Sequence, residues 1–592
     1  MAPDSKRMTP DSKLTASDCK LTATDTKLTT PDSKGKARRS YRALFLVVVL
    51  LGSCAALGSL VEQRVVAQSA SDESTLRDSL HQFTDVYNLV EQNYAEPLKT
   101  DKVDKAIYDG AIPGMLHALD PHSNFYDAKA FAQMREEQHG KYYGVGMQIQ
   151  PQPDKAGVLH VMVMVPFEGT PAYKAGILPG DMILTVDGKN TEGLDSAAVA
   201  AMLKGPKGSH VIVTMQREGK DKPLSFDLMR DEIPRPSVDL AFMLKPGIGY
   251  IHVTGFMETT SREVGDALQR LQASNGGLHG LILDLRANPG GLLNEAVNMS
   301  DKFLQEGQVV VSQHGRAFPD QVYHAAHGET GSEKYPIVVV VNRNTASAAE
   351  IVSGALQDHD RALIVGETTF GKGLVQTVFQ LDDNTMGLAL TTYHYYTPSG
   401  RLIQRSYDGV SLYDYYYLRD DAKKADKSNL EVKLTDSGRT VYGGGGITPD
   451  EKIDVPELNH FQTSLIQHYI FAYGGISNSG YGLGIGNFGK HYLASHTVSR
   501  EFVVDDAVLQ QFKAFLKANQ VEYTDADIAG SLEWIKSYIK AELFTSQFGQ
   551  IEGLKVRTQT DPEITKAIGF LPEALALVDR DKSPQKTASL RP

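Results

Sequence analysis

The middle of the chain alternates apolar runs with stretches whose apolar residues recur at helical spacing. Ile337–Val341 is apolar throughout, which is typical of a strand buried on both faces of a sheet. Apolar residues recur at helical spacing from Ile351 on, so Ser347 is predicted where a strand passes into a helix. The same patterns predict two further strands, at Arg361–Val365 and Leu374–Gln380.

This alternation begins earlier in the chain, with predicted strands at Tyr250–Val253, Leu281–Leu285 and Val309–Val311. Strands that are apolar throughout and alternate with helices indicate an α/β fold, with a mainly parallel sheet covered on both faces. Ligands of such sheets bind beyond the carboxyl ends of the strands, where both Asn288–Gly291 and Ser347 lie.

Helical patterns flank this core. Residues 72–140 are predicted to be a helical segment, because Leu80, Phe83 and Val90 share one face of a helix. Residues 456–592 are predicted to be mostly helical, and we expect them to form a bundle that makes dimer contacts.

Three smaller features are predicted to have no catalytic or ligand-binding role. Tyr407–Gly438 mixes aromatic with charged residues and is predicted to be an excursion on the surface. Gly484–Gly489 matches a dinucleotide fingerprint, but no apolar strand precedes it, so a loop is predicted. His117 and His122 are interpreted as structural.

Charge and cysteine content exclude several classes of function. The chain of 592 residues carries a net charge of −12, and its first 42 residues are basic, which leaves −17 for the rest. Such an acidic body argues against nucleic acid as a partner. The only cysteines, Cys19 and Cys54, precede the body and leave it no disulfide, zinc–thiolate or cysteine-nucleophile chemistry.

The beginning of the chain indicates export. Residues 1–42 contain seven-residue repeats with one apolar residue each, which predicts a disordered cytoplasmic tail. The uncharged run 43–61 would span about 28 Å, enough to cross a bilayer. It is a retained membrane anchor, a signal cleaved within Val65–Ala70, or the site of a lipid on Cys54, because Leu51–Cys54 resembles a lipoprotein processing site. We expect the body in the cell envelope or periplasm.

A serine and a lysine near the predicted strand ends suggest nucleophilic catalysis. Lys372 lies between two glycines, and Gln376 is four positions further along, on the same face of a strand. Ser347 could attack a carbonyl while Lys372 accepts its proton, provided that burial lowers the lysine pKa by ~3 units. The alternative is structural, because Ser347-x-x-Glu350 also matches a capping box.

The stretches TASAAEIVSGALQD and GETTFGKGLVQ closely resemble the carboxyl-terminal processing peptidases, also called tail-specific proteases. The resemblance implies a crotonase-like spiral fold and a Ser–Lys dyad with Ser347 as nucleophile and Lys372 as base. It also implies that Gln376 assists the lysine and that Asp358 is the acidic residue assigned in some members. One departure is Ala349, where the family usually has a second serine.

The turn DLRANPGG offers donors for a developing negative charge. A Gly-rich turn at a helix start exposes N–H groups, so the amides of Gly290 and Ala348 are predicted to form an oxyanion hole. Each donor of this kind contributes ~3 kcal/mol in the transition state. The sequence leaves the choice between Gly290 and Gly291 open.

Residues 141–230 resemble a PDZ domain, most closely over Thr170–Asn190. The loop of Gly144, Val145, Gly146 and Met147 alternates glycine with apolar residues before a strand. Successive N–H groups of such a loop can hold a chain-terminal carboxylate while the strand pairs with the peptide. The resemblance implies that the ligand is a free, rather apolar carboxyl terminus.

These observations predict an exported serine endopeptidase that recognises protein tails, with its protease core at residues 231–455. No metal or cofactor is expected. A catalytically inactive PDZ adaptor is the first alternative, and an acyl-CoA enzyme on the same kind of sheet is the second.

Overall fold

A computed structural model of the chain describes residues 76–96, 102, 105–153, 157–327, 335–417, 431–454, 457–468, 470–471, 476–477, 480–481 and 486–581. The chain divides into two compact units, Met1–Val103 and Asp104–Pro592. In the first unit, helix α1 spans residues 76–93, and its apolar residues Leu80, Phe83 and Val90 are exposed. The predicted tail, the run 43–61 and both cysteines lie outside the described residues. No helix in the described ranges has the length and apolarity needed to cross a bilayer.

The second unit opens with a short strand between helices. A π-helical turn at Ala106–Ala111 is followed by α2 (Ile112–His117), β1 (Asn124–Tyr126) and α3 (Ala128–Gln138). The prediction that 72–140 is helical is wrong at β1. The Asp120 carboxylate accepts hydrogen bonds from the N–H groups of His122 and Ser123, which turns the chain, and β1 then pairs with a strand more than two hundred residues away.

The predicted PDZ region is a six-stranded antiparallel sheet with two helices. Its elements, after the short strand β2 (Lys141–Gly144), are β3 (Met147–Pro153), β4 (Leu159–Pro166), α4 (Pro171–Lys174), β5 (Met182–Val186), β6 (Lys189–Asn190), α5 (Ser196–Leu203), β7 (His210–Gln216) and β8 (Leu224–Met229). Strand β3 is at the edge of the sheet, and α5 packs against it. The edge of β3 and helix α5 therefore border one groove.

The core region follows the PDZ region. Its elements are β9 (Asp231–Pro234), β10 (Val238–Lys245), β11 (Ile248–Val253), α6 (Thr260–Gln272), β12 (Gly280–Asp284), α7 (Leu293–Ser300), β13 (Val309–His314), β14 (Gln321–His324), β15 (Ile337–Val341), α8 (Ala348–Asp358), β16 (Leu363–Gly366), β17 (Leu374–Leu381), β18 (Met386–Tyr396), α9 (Leu412–Tyr417), β19 (Val432–Leu434), β20 (Thr440–Tyr442) and β21 (Glu451–Lys452).

Two sheets organise the core. The first has the order β10-β11-β12-β15-β16-β21 and is parallel except for the β10–β11 pair, which confirms the predicted parallel sheet. The second is antiparallel, with the order β1-β18-β13-β14 and β17 paired to β18. The predicted strand Val309–Val311 lies in this second sheet, as part of β13.

The carboxyl-terminal region is mostly helical, as predicted. Its elements are α10 (His460–Gln467), β22 (Ile476–Ser477), β23 (Gly480–Tyr481), α11 (Asn487–Leu493), α12 (Asp506–Ala518), α13 (Asp525–Gly530), α14 (Leu532–Phe548), α15 (Gln550–Gln559), α16 (Pro562–Gly569) and α17 (Leu571–Asp581). The loop predicted at Gly484–Gly489 is helical from Asn487 on, because the apolar side of α11, with Phe488 and Tyr492, packs into an apolar cluster of this region.

Helices α15–α17 cover one face of the parallel sheet. Leu554, Ile564 and Leu577 pack in one apolar cluster with Ile282 and Val338 of the sheet. Helices α6–α8 cover the other face. The last three helices therefore complete the core, although the sequence places a domain boundary at residue 455.

Candidate active site

One cavity contains the predicted catalytic residues. It has a volume of about 750 Å³ and opens beyond the carboxyl ends of β12 and β15, where a parallel sheet is expected to bind its ligand. Ser347, Lys372 and Gln376 all line it. The structure thus brings together three residues that the sequence spreads over thirty positions.

Ser347 stands in a strained backbone conformation directly before α8. Its φ is 54° and its ψ is −117°, in a region that residues with a side chain rarely adopt. The following residue, Ala348, is the first of α8 and also lines the cavity. The serine therefore lies at the positive end of a helix, as the sequence predicts.

A buried carboxylate joins the backbones of the serine and the lysine. One oxygen of Glu350 accepts hydrogen bonds from the N–H groups of Ser347 (2.8 Å) and Lys372 (2.9 Å). The other accepts from the Gly371 N–H and the Thr369 hydroxyl. The sequence predicts Glu350 only as a helix cap. Its spacing from Ser347 does not reveal that Thr369, Gly371 and Lys372 also donate to its carboxylate.

A buried tyrosine makes the corresponding connection on the carbonyl side. The Tyr395 hydroxyl lies 2.6 Å from the carbonyl oxygen of Lys372 and 3.1 Å from that of Ser347. Burial raises the pKa of Tyr395 well above its ordinary value, so the hydroxyl stays protonated and can donate. Sequence reasoning missed Tyr395, since no spacing within β18 distinguishes it from its neighbours.

The lysine stands in an environment that disfavours its charge. Burial lowers the pKa of Lys372, against the opposing effects of the carboxylates of Glu350 and Asp120. Phe370, Leu374 and Tyr395 line the cavity around it. This is the direction that a lysine needs to act as a general base.

Helix α9 forms part of the cavity wall, so the prediction of a surface excursion is wrong there. Tyr416 and Tyr417 line the cavity, and Tyr415 is buried. The Tyr416 hydroxyl donates to the carbonyl oxygen of Pro121 (2.7 Å), because aromatic side chains of α9 pack against the turn before β1. Residues 418–430 of the predicted excursion lie outside the described residues.

His122 is part of the same wall. Its two ring nitrogens lie 3.0 Å from the Tyr415 hydroxyl and 3.2 Å from the Tyr416 hydroxyl. Burial and then the charge of Lys372 lower the pKa of His122 to about 3, although Asp120 opposes this. The ring is therefore neutral, and its position in the cavity could have been suspected only from the turn sequence LDPHS.

The turn after β12 offers one of its glycines to the cavity. The N–H of Gly290 donates to the side-chain oxygen of Asn288 at 2.9 Å, so this donor is already engaged. Gly291 lines the cavity, as Ser347 and Ala348 do. Of the two glycines between which the sequence leaves the choice open, Gly291 lines the cavity and Gly290 has its N–H bonded to Asn288.

The two remaining predicted residues are placed differently. Gln376 lies in β17, on the cavity wall, and donates to the Thr391 hydroxyl at 3.1 Å. Asp358 is the last residue of α8, buried and paired with Arg401, and it accepts a hydrogen bond from the Ser399 N–H. It does not line the cavity, since it lies three helical turns from Ser347.

The predicted carboxylate loop precedes the edge strand of the PDZ region. Gly144 ends β2, and Met147 begins β3. Gly146 has a φ of 80°, and a Cβ there would lie 2.4 Å from the Thr170 side chain, so only glycine fits. The loop is thus held next to the groove between β3 and α5. Within the described residues, no group of three or more His, Cys, Asp or Glu could hold a metal ion.

Comparison with known proteins identifies the family. The profile of peptidase family S41 matches residues 247–411, a PDZ domain profile matches 162–217, and the profile of the activating protease CtpB N-terminal domain matches 51–130. The carboxy-terminal-processing protease of Bartonella bacilliformis is 39% identical over 345 residues, which cover 57% of this chain and 76% of the relative. The chain belongs to the carboxy-terminal processing proteases.

Two further relatives extend the match. Carboxy-terminal processing protease CtpA of Bacillus subtilis is 33% identical over 62% of this chain and 76% of its own. A probable CtpA-like serine protease of Staphylococcus aureus is 29% identical over 78% of this chain and 81% of its own. These matches confirm the predicted family, the α/β protease fold with a PDZ domain, and the class of peptide-bond hydrolase.

Proposed function

We propose that this processing protease hydrolyses peptide bonds with a Ser347–Lys372 dyad. One observation carries the proposal: the two residues line one cavity while a single buried carboxylate, that of Glu350, holds both of their backbone N–H groups. Such a connection ties the backbones of the proposed nucleophile and base to one group.

The chemistry follows the roles of these groups. The Ser347 Oγ attacks the carbonyl carbon of the scissile bond, and the neutral Lys372 amine accepts the hydroxyl proton. The lysine then returns this proton to the leaving amine, which leaves an acyl-enzyme for a water molecule to hydrolyse. The N–H groups of Gly291 and Ala348 stabilise the oxyanion, and Gln376 orients the lysine.

The proposed substrates are proteins with an accessible carboxyl-terminal tail. The tail adds to the free edge of β3, and its carboxylate meets the N–H groups of Gly144–Met147. The adjoining chain then reaches the cavity. Asp358 has no place in this mechanism, because its pairing with Arg401 supports the far end of α8.

The proposed location is the cell envelope or periplasm. It rests on the basic flank and uncharged run at residues 34–61, which indicate export and a contact with the membrane. Assembly into a homo-oligomer is part of the same proposal. Mass spectrometry of the mature amino terminus tests retention, cleavage and lipidation in one measurement.

Cleavage of a tail-bearing model protein, followed on a gel, tests the dyad. Ser347→Ala and Lys372→Ala are expected to abolish cleavage, whereas Ser274→Ala and Lys245→Ala, at positions outside the cavity, are expected to cleave like the parent. Cleavage at the parental rate by either dyad variant would contradict the mechanism.

A second experiment tests tail recognition separately. Peptide substrates with a free carboxylate and with an amidated terminus are compared, and amidation is expected to raise KM because it removes the charge that the loop binds. Equal KM values for the two peptides would mean that tails are not recognised through the carboxylate.

A further inference from the structure

A buried arginine connects the active-site turn to the carboxyl-terminal helices. Arg286 follows β12, and its side chain is almost fully buried. Its guanidinium donates to Asp284 at 2.6 Å, to Asp561 at 2.9 Å and to Glu563 at 2.5 Å. The last two carboxylates come from the start of α16, more than 270 residues further along the chain.

Packing fixes where these two carboxylates stand. Asp561 caps α16, since its side chain accepts hydrogen bonds from the N–H groups of Glu563 and Ile564. Ile564 and Ala567 of the same helix belong to the apolar cluster that covers the sheet. The start of α16 therefore cannot shift without disturbing that cluster.

Arg286 in turn lies next to the backbone that shapes the oxyanion site. Ala287 has a φ of 57° and donates its N–H to the Asn342 side chain at 2.9 Å. The carbonyl oxygen of Asn288 accepts from the Ala346 N–H at 2.9 Å, one residue before the nucleophile. A Cβ on Gly290 would lie 2.7 Å from the Ser347 Cβ. A movement of Arg286 would therefore displace both the turn and Ser347.

The position of the Arg286 guanidinium depends on the charges of the carboxylates around it. Asp284, Asp561 and Glu563 surround one guanidinium away from water, so each carboxylate that loses its charge leaves buried N–H donors with a weaker acceptor. The guanidinium then relaxes toward Asp284, and the turn attached to it relaxes as well.

We propose that Asp561 and Glu563 are positioning residues of the active site, which act through Arg286 on the turn 287–291 next to Ser347. The inference rests on the proposed function of that site. It makes the last helices of the chain part of the catalytic apparatus as well as part of the core.

The double variant Asp561→Asn/Glu563→Gln tests this. Asparagine caps helices as well as aspartate does, so α16 keeps its start while the two charges disappear. We expect kcat to fall about tenfold to hundredfold, as a small misplacement of catalytic groups does, with KM for a tail peptide unchanged.

The matched control is Glu552→Gln. Glu552 lies on the neighbouring helix α15 and pairs with Arg500 at 3.0 Å and Lys555 at 2.8 Å. The control variant therefore also removes a paired carboxylate from this region. The charge of Glu552 is paired with Arg500 and Lys555 rather than with Arg286, and we expect the parental kcat. Glu563→Asp, which keeps the charge, should restore part of the lost kcat relative to Glu563→Gln.

Thermal unfolding of each variant is measured alongside kcat. A folded double variant with the parental kcat overturns the inference, even if its melting temperature is lower, because the carboxylates would then be structural only. If the double variant does not fold, the single Glu563→Gln variant decides by the same comparison. An inactive Ser347→Ala beside a fully active double variant refutes this inference alone, whereas an active Ser347→Ala refutes the proposed function.

Discussion

At the scale of single residues, the backbones of the proposed nucleophile Ser347 and the proposed base Lys372 are bound by two buried side chains. The Glu350 carboxylate binds their N–H groups, and the Tyr395 hydroxyl binds their carbonyl oxygens. Four donors point at Glu350 from Ser347, Thr369, Gly371 and Lys372. Burial raises the pKa of Glu350, and these four hydrogen bonds oppose that rise because they favour the ionised carboxylate.

Glu350→Gln should therefore disrupt the site. Its amide NH₂ would face N–H donors, which leaves buried groups unsatisfied and costs about 1–3 kcal/mol for each. We expect lower thermal stability and a large loss of kcat, measured by thermal unfolding and peptide hydrolysis. Glu367→Gln, which weakens an ion pair with the partly exposed Arg343, is the control and should change neither much.

Lys372 should destabilise the folded chain. Its folded-state pKa lies below the ordinary 10.5, so the unfolded chain binds the proton more tightly. The free energy of unfolding is therefore highest above pH 10.5, where the lysine is neutral in both states. It decreases as the pH falls from 10.5 through the folded-state pKa.

Lys372→Met should accordingly raise the melting temperature, and more at neutral than at strongly alkaline pH. Thermal unfolding over a pH series measures this, with the exposed Lys245→Met as reference. A melting temperature that drops at neutral pH would mean that the amine is not kept from water.

At the scale of elements, α8 follows from local sequence, whereas α9 owes its role to packing. The strand-to-helix passage at Ser347 and the helix after it are confirmed as predicted. Helix α9 has six residues and no helical stripe strong enough to predict a place for it. Its tyrosines form hydrogen bonds with the distant turn at Pro121 and His122, and α9 thereby closes one side of the cavity.

Tyr416→Ala should raise the pKa of Lys372, the proposed base, because water enters where the ring stood. Activity requires the neutral amine, so the rise of kcat/KM with pH should move to higher pH. Tyr413→Ala on the same helix removes an exposed ring outside the cavity and should leave the profile in place. Identical profiles for both variants would show that α9 does not exclude water from the lysine.

At the scale of the whole molecule, the carboxyl-terminal region contacts both the protease core and the PDZ domain. Helices α15–α17 cover the parallel sheet, and Lys490 of α11 donates to Gln152 on β3 of the PDZ domain at 3.3 Å. Burial lowers the pKa of Lys490, although Glu218 and Glu542 oppose this. The strand that is proposed to receive substrate tails is therefore in contact with the region that completes the core.

Two leucines of α17 test this role of the last helices. Leu577 is 5% exposed within the apolar cluster that covers the parallel sheet, whereas Leu575 is 42% exposed on the same helix. Leu577→Ala should lower the free energy of unfolding by about 2–5 kcal/mol and Leu575→Ala by less than about 0.5 kcal/mol. Equal losses in chemical denaturation would mean that α17 is not part of the core.

The sequence alone predicted the parallel strands of the core, the helix after Ser347, the PDZ domain and the protease motifs. These rest on apolar runs, helical spacing and short glycine-rich turns, whose physical causes lie within a few residues of each other. It placed Ser347, Lys372 and Gln376 correctly on their elements, and all three line the cavity.

Tertiary structure decided what surrounds these residues. Glu350 meets Lys372 through the fold of the turn before β17, α9 meets His122 within one wall of the cavity, and Asp561 meets Arg286 across 275 residues of chain. Such contacts depend on how whole helices pack on the sheet, and no local pattern encodes them. They are the contacts that exclude water, fix the donors and set the pKa of the lysine.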